Sequence, residues 1–140
     1  MIINIFLYNI YIYILMDYTL TIEKVAIVLF FIMFVYSGFN KIFNFTKKVE
    51  NLVKKTGLPS PLNEIGMVGV ILLEIIGSLL IVYYFFGGDV NKKLIKKIAE
   101  VYILFLIVVT FLYHPPTDKM IPFLSNVTTT GGLLLIYNII

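Results

Sequence analysis

The chain has 140 residues, of which 60% are hydrophobic and 14% charged, and its formal net charge is +3. Its mean hydropathy of +0.98 excludes an ordinary soluble domain, because a soluble fold of this length needs a charged and polar exterior. The absence of cysteine excludes disulfides, thiol redox chemistry and Cys-ligated metal or iron–sulfur sites. The sequence also lacks the basic stretches interleaved with aromatic residues that would indicate nucleic-acid binding.

The first apolar run, from about Ile2 to Leu15, carries no charge, but it is shorter than the roughly 20 residues needed to cross a bilayer. It also lacks the basic start and the small-residue cleavage site of a signal peptide. Met16 stands just before Asp17 and the first convincing span. We therefore interpret residues 1–16 as an extension, which either precedes a true translation start at Met16 or lies along the membrane interface. Residues 17–140 are predicted to form the membrane domain.

Four apolar runs of about membrane-spanning length follow. The predicted spans are about Val25–Phe43, Ile65–Phe86, Ile98–Tyr113 and Ile121–Ile140. The third span is short unless part of the basic stretch Leu94–Lys97 continues the helix. Over Phe43–Thr56, lysine pairs alternate with apolar residues at near-helical spacing, which predicts an amphipathic helix on the membrane surface. The sequence thus predicts an all-α integral membrane bundle of four transmembrane helices, with an interfacial segment after the first.

The last span begins with a polar and small stretch, Ser125 to Gly132. Polar and small residues are enriched where transmembrane helices contact each other. We therefore predict that this half of the span faces the other helices and that only its second half faces lipid.

The polar residues of the spans are expected to collect at one membrane face in an up-and-down arrangement. An ionisable group inside a bilayer is costly, so Glu74 in the second span should point inward and have a partner, for which Lys41 is the obvious candidate. We hypothesise a polar pocket that opens toward the loops containing Pro59 and Pro115. Its residues are Ser37, Lys41, Glu74, Thr110, His114 and Asn126. The alternative is that these side chains only hold the helices together through hydrogen bonds.

Glycines within the apolar spans are interpreted as close-packing points between helices rather than as a phosphate-binding loop. The predicted packing positions are Gly38, Gly77, Gly131 and Gly132. A lone histidine at the end of a span is more often an interfacial side chain than a ligand, and His114 has no cysteine with which to form a metal site. The sequence predicts neither a metal site nor a self-contained catalytic constellation.

The order of these residues resembles that of the DoxX family of small multi-pass membrane proteins. The segment Tyr36–Ile42 is similar to the "SG..K" signature at the end of the family's first helix, and Gly57–Pro59 is similar to the turn after its amphipathic segment. The later similarities are Glu74 followed by Gly77, Thr110 followed by His114, and Asn126 followed by Gly131 to Leu135. The likeness covers about residues 20–140 and rests on the order and spacing of short motifs, with Ser78 where another glycine or small residue is typical.

The resemblance implies a four-helix membrane protein and implies function only loosely. Some relatives are linked to quinone-dependent sulfur oxidation or to oxidative-stress complexes with other proteins. We expect a non-catalytic accessory subunit whose partners are the lipid bilayer and other membrane subunits or a second copy. One alternative is a quinone-binding subunit of a redox complex, with Glu74, His114 and Lys41 near the quinone carbonyls. The other is a small transporter or proton pathway through Glu74. Apart from a quinone, no cofactor is indicated.

Overall fold

The computed structural model describes the backbone of residues 2–140 and the side chains of residues 8, 10–16 and 18–140. This part of the chain is helical and contains no strand, so the prediction of an all-α fold is confirmed. Its helices are α1 (Ile2–Phe43), α2 (Phe45–Thr56), α3 (Leu62–Phe85), α4 (Lys92–Tyr113) and α5 (Met120–Ile139). Within α3, Leu62–Leu72 and Ser78–Phe85 are α-helical, and the turn between them, Leu73–Gly77, is π-helical.

Three stretches of helix are long and apolar enough to cross a membrane. They are Ile10–Phe43, Leu62–Phe85 and Met120–Ile139, which overlap the first, second and fourth predicted spans. The chain therefore has the character of a membrane protein. The remaining long helix, α4, has Lys96, Lys97 and Glu100 next to its apolar run. It begins earlier than the predicted third span, because the side chain of Asn91 caps it by accepting a hydrogen bond from the Lys93 amide.

α1 differs from the arrangement expected at the N-terminus, because no break in the backbone separates the predicted extension from the first span. No glycine or proline lies between Ile2 and Ser37, so no residue ends the helix there. The 42 residues of α1 extend over about 63 Å at 1.5 Å per residue. The described side chains from Tyr8 to Glu23 are exposed, Lys24 is half-buried, and the first buried residue of α1 is Ile27. The translation start at Met16 stays a prediction.

The predicted amphipathic helix is present as α2, and its capping residues lead the chain directly into α3. Gly57 ends α2 in the left-handed conformation at φ 67°, where a Cβ atom is disfavoured, and its amide donates to the Val53 carbonyl. Thr56 Oγ1 lies 3.0 Å from Oδ1 of the buried Asn63, whose amide group donates to the Leu58 carbonyl. These contacts hold the end of α2 against the start of α3.

The four long helices share one apolar core. Its buried aromatic centre is formed by Phe31 and Phe34 of α1 and Tyr102 of α4, whose ring centroids lie 5.0–6.0 Å apart. The other buried members are Ile27, Ile81, Ile95, Ala99, Leu106, Leu133, Ile136 and Ile140. Packing of this kind favours tilted and edge-to-face rings over parallel stacks. The core thus fixes α1, α3, α4 and α5 relative to one another.

Three of the four predicted packing glycines lie at close contacts between helices. A Cβ atom on Gly38 would lie 2.6 Å from Ile75 Cγ1, and one on Gly132 would lie 2.6 Å from Phe30 Cε2. A Cβ atom on Gly77 would lie 3.2 Å from Ile98 Cγ2. The prediction was wrong for Gly131, where a Cβ atom would meet nothing within 4 Å. Gly131 faces away because it is adjacent to Gly132, and neighbouring helical positions cannot share a face.

The prediction for the two halves of the last span is met only in part. One face of the polar half is half-buried (Asn126, Thr129, Thr130 and Gly132), whereas Ser125 and Thr128 are exposed. The fully buried positions, Leu133 and Ile136, lie in the apolar half, which was expected to face lipid. The threonine hydroxyls need no partner helix, because each donates to the carbonyl four residues earlier at 2.8–3.0 Å. Local hydrogen bonding therefore satisfies the polar half, and the apolar residues pack against the core.

Candidate functional site

Two polar side chains of α1 meet one carboxylate of α3. Ser37 and Lys41 are one helical turn apart and share a face of α1. Lys41 Nζ lies 2.8 Å from Oε1 and 2.7 Å from Oε2 of Glu74, which makes a two-oxygen ion pair. Lys41 Nζ also donates to Ser37 Oγ at 2.7 Å, and Ser37 Oγ donates to Glu74 Oε1 at 3.3 Å. The partnership between Lys41 and Glu74 that the sequence predicted is therefore present. We call these three residues the Ser37–Lys41–Glu74 cluster.

The cluster is a closed network. The lysine ammonium has three N–H donors, and its acceptors here are Ser37 Oγ and both oxygens of Glu74. The side chain of Glu74 is only 4% exposed and that of Lys41 is 18% exposed. A carboxylate buried to this extent is destabilising unless it is paired and hydrogen-bonded, and here both conditions are met. The arrangement can therefore hold two helices together through charge in a nearly dry environment.

The backbone brings the two helices close enough for this contact. Gly38 stands between Ser37 and Lys41, and a Cβ atom there would lie 3.3 Å from Glu74 Cβ. α1 and α3 therefore approach each other most easily where α1 has no side chain. Glu74 itself belongs to the π-helical turn Leu73–Gly77, a local widening that often occurs at functional sites. The glycine and the π turn together set the position of the carboxylate relative to the ammonium group.

The remaining residues of the predicted pocket make other contacts. Thr110 is buried, but its hydroxyl donates to the Leu106 carbonyl of its own helix at 2.5 Å. The His114 amide donates to the Thr110 carbonyl, and its Nδ1 atom is buried without a hydrogen-bond partner among the described residues. Asn126 is half-buried, and its main-chain carbonyl accepts a hydrogen bond from the Thr130 hydroxyl. The structure thus brings three of the six predicted residues into hydrogen-bond contact and shows no such contact from the other three to them.

A second buried polar contact, absent from the sequence-based prediction, lies one turn further along α3. Tyr102 Oη donates to the Leu73 carbonyl at 2.7 Å and lies 2.6 Å from Ser78 Oγ. Because the single hydroxyl proton of Tyr102 is directed to Leu73, the proton in the second contact comes from Ser78. Both side chains are fully buried. Tyr102 thus ties α4 to the π turn that contains Glu74. The departure from glycine at Ser78 was the available signal, since a buried hydroxyl requires a partner.

Neither metal nor nucleophile chemistry is indicated at this site. Among the described residues, no group of three or more His, Cys, Asp or Glu side chains is placed to hold a metal ion. The hydroxyl of Ser37 contacts an ammonium and a carboxylate rather than a histidine base.

A groove of about 360 Å³ lies between α2 and α3, but no member of the cluster lines it. Its lining residues are Phe45, Thr46, Val49, Glu50, Val53 and Glu64.

Comparison of the chain with protein-family models, with curated proteins and with solved structures found no match.

Proposed function

We propose that the chain is a DoxX-like multi-pass membrane protein in which α4 is a fourth transmembrane helix. Its 22 residues extend over about 33 Å, which is enough to cross the roughly 30 Å hydrocarbon core of a bilayer. One face of α4 contributes Ile95, Ala99, Tyr102 and Leu106 to the same core as the three candidate spans. The lysines at its start can extend toward the headgroup region while their methylene chains stay in an apolar environment.

The absence of cysteine makes this topology directly testable. Single cysteines at Ser60, Asp89 and Asp118 would report the loops before α3, before α4 and before α5. In sealed vesicles, four spans place the first and third cysteines on one side and the second on the other. Labelling with an impermeant maleimide should therefore separate Asp89→Cys from the other two variants. Labelling of Asp118→Cys on the same side as Asp89→Cys would show that α4 does not cross.

The proposed role is that of a non-catalytic accessory subunit, which acts through contacts with other membrane proteins rather than through chemistry of its own. The observation that supports it is the closure of the Ser37–Lys41–Glu74 cluster. Glu74 is the only charged residue in the buried class among the described residues; both of its oxygens are engaged by Lys41, whose donors are all occupied. A quinone carbonyl or a transported proton would have to displace part of this network. The cluster is therefore better suited to holding α1 on α3 than to binding a substrate.

Mass spectrometry of the chain purified from its native membrane tests this role. The wild-type protein and Glu74→Gln would be compared for co-purifying subunits, quinones and lipids, with Glu100→Gln as a matched exposed control. We expect the same protein partner with all three chains, in stoichiometric amount, and no enriched quinone. Quinone bound to the wild type and to Glu100→Gln but lost from Glu74→Gln would instead favour a redox subunit. Proton or solute flux in proteoliposomes that Glu74→Gln abolishes would favour a transporter.

A further inference from the structure

The outer surface between α3 and α4 carries an apolar groove of about 450 Å³. Its walls are formed by Leu72, Ile76 and Leu80 of α3 and by Leu94, Ile98 and Val101 of α4. Gly69 and Gly77 also line it. A Cβ atom on Gly69 would meet nothing within 4 Å, so the groove is open there. From Gly69 to Leu80 the groove runs for about 16 Å along α3 at 1.5 Å per residue. Its shape is that of a narrow slot parallel to the helices.

Positive charge is concentrated at the end of the slot that is formed by the start of α4. Lys97 is the only charged residue of the lining, and Lys93, one turn earlier, lies on the same side of α4. Lys92 and Lys96 complete a group of four lysines within the first two turns of the helix. The positive end of the helix dipole disfavours cations at this position, and the first turn contains no acidic residue. The start of α4 therefore favours the binding of an anion.

The described chain supplies little of the required negative charge. Lys97 pairs with Glu100 at 2.8 Å, and Lys96 lies over the ring of Tyr137 at 4.9 Å from its centroid. No carboxylate of the described residues lies within ion-pair distance of Lys92 or Lys93. The groove thus combines a long apolar slot with a basic end at which Lys92 and Lys93 have no carboxylate partner among the described residues, which is the pattern of a basic site between transmembrane helices that binds an anionic lipid headgroup.

We propose that this groove is a binding site for one phospholipid with a negatively charged headgroup. One acyl chain lies in the slot between α3 and α4, over Gly69 and Gly77. The phosphate lies at the start of α4, where Lys93 and Lys97 donate to its oxygens. The charge argument selects this occupant over a second transmembrane helix, since an apolar helix would leave the lysines without an anion. The inference rests on the proposed placement of α4 across the membrane.

Native mass spectrometry of the full chain, purified in detergent and exposed to equal amounts of phosphatidylglycerol and phosphatidylcholine, tests the site. We expect the wild type to retain one phosphatidylglycerol in preference to phosphatidylcholine. Lys93→Gln with Lys97→Gln should lower this preference roughly tenfold, because each lysine near an anionic headgroup contributes several-fold to binding. Lys47→Gln with Lys54→Gln, which removes the same charge from exposed positions of α2, should leave the preference unchanged.

The slot is tested separately by filling it. Gly69→Leu should reduce retention of the lipid, whereas Gly66→Leu should not, because Gly66 is equally open but lies outside the groove. Circular dichroism of the two variants would show that both keep their helices. Equal retention by Gly69→Leu and Gly66→Leu would overturn the proposal. So would equal affinity of the wild type for the two lipids.

Two further outcomes are informative. Dimers that Gly69→Leu converts to monomers, without lipid enrichment, would assign the groove to a second copy of the chain and overturn the lipid assignment. Failure of the topology itself is recognised by the cysteine labelling described above. If the labelling shows four spans and the lipid preference is absent, the lipid site alone is refuted.

Discussion

Among the described residues, two Lys–Glu ion pairs have nearly equal length but very different surroundings. The N–O distance is 2.7 Å between Lys41 and Glu74 and 2.8 Å between Lys97 and Glu100. The first pair joins α1 to α3 and is almost buried, with side chains 18% and 4% exposed. The second lies within adjacent turns of α4, with side chains 75% and 44% exposed. Burial and sequence separation, rather than distance, therefore decide what each pair contributes.

The largest difference is expected when one partner of each pair is removed. Lys41→Ala leaves the buried Glu74 carboxylate without its cation, and we expect it to lower the free energy of unfolding by about 3 kcal/mol. Lys97→Ala is the matched control and should leave the free energy of unfolding unchanged within error. Unfolding in mixed detergent and SDS micelles, followed by circular dichroism, measures both. Equal losses in the two variants would contradict the comparison.

Removing both buried charges should restore most of this loss. In Lys41→Met with Glu74→Met, apolar side chains of similar length replace the pair, and no uncompensated charge remains. We expect the free energy of unfolding to return to within about 1 kcal/mol of the wild type. A double-mutant cycle with the two single Met variants gives the coupling between the residues. Additive losses would show that the ion pair does not link α1 to α3.

A somewhat smaller loss of stability is expected when the close contact between α1 and α3 at Gly38, beside the cluster, is disturbed. Gly38→Ala places a methyl group 2.6 Å from Ile75 Cγ1, and this overpacking should lower the free energy of unfolding by about 1–3 kcal/mol. Gly131→Ala is the matched control in an open part of α5, where the higher helix propensity of alanine should raise stability by up to about 1 kcal/mol. The same unfolding titration applies. A loss at Gly131 equal to that at Gly38 would contradict the assigned packing.

The next largest effect on stability is expected from Tyr102, the tyrosine that braces the π turn. Tyr102→Phe keeps the ring in the core but leaves the Leu73 carbonyl and the Ser78 hydroxyl without their partner. We expect a loss of about 1–2 kcal/mol in the free energy of unfolding. Tyr36→Phe is the control, since Tyr36 is exposed. Unchanged stability in both variants would mean that the hydroxyl network does not support the turn.

The smallest effect is expected at the exposed pair. Glu100→Gln removes the carboxylate next to Lys97 without altering the core. The apparent Tm should stay within experimental error at high salt, because water and ions screen this pair already. A salt titration of the Tm of wild type and variant measures the contribution directly. A decrease as large as that of Lys41→Ala would show that exposure does not control the strength of these pairs.

The predicted features that the structure confirms are those that depend on composition and local pattern. Long apolar runs and the stop at Gly57 set the helices, because these signals act within one or two turns. The pairing of Lys41 with Glu74 was also predictable. A charge deep in an apolar helix requires a partner, and few other charges were near the same level.

The predictions that the structure corrects concern the direction in which side chains point and the partners of their hydroxyls. The polar half of α5 was expected to face other helices, but Thr128 is exposed and the hydroxyls of Thr128, Thr129 and Thr130 bond to their own backbone. The hydroxyl of Thr110 likewise bonds to the Leu106 carbonyl of its own helix. Sequence alone cannot separate these cases, because a threonine can satisfy its hydroxyl either across a helix interface or within its own helix.

The sequence by itself determined that this is an all-helical, apolar protein with membrane character and that Glu74 needs a cationic partner. These properties follow from burial costs that depend on residue type alone. Tertiary structure decided which glycines are packing points, that a π turn holds Glu74, and that Tyr102 and Ser78 brace this turn from α4. These features depend on how four helices rotate about their axes to fill a common core, and that rotation is set jointly by all of the packed side chains.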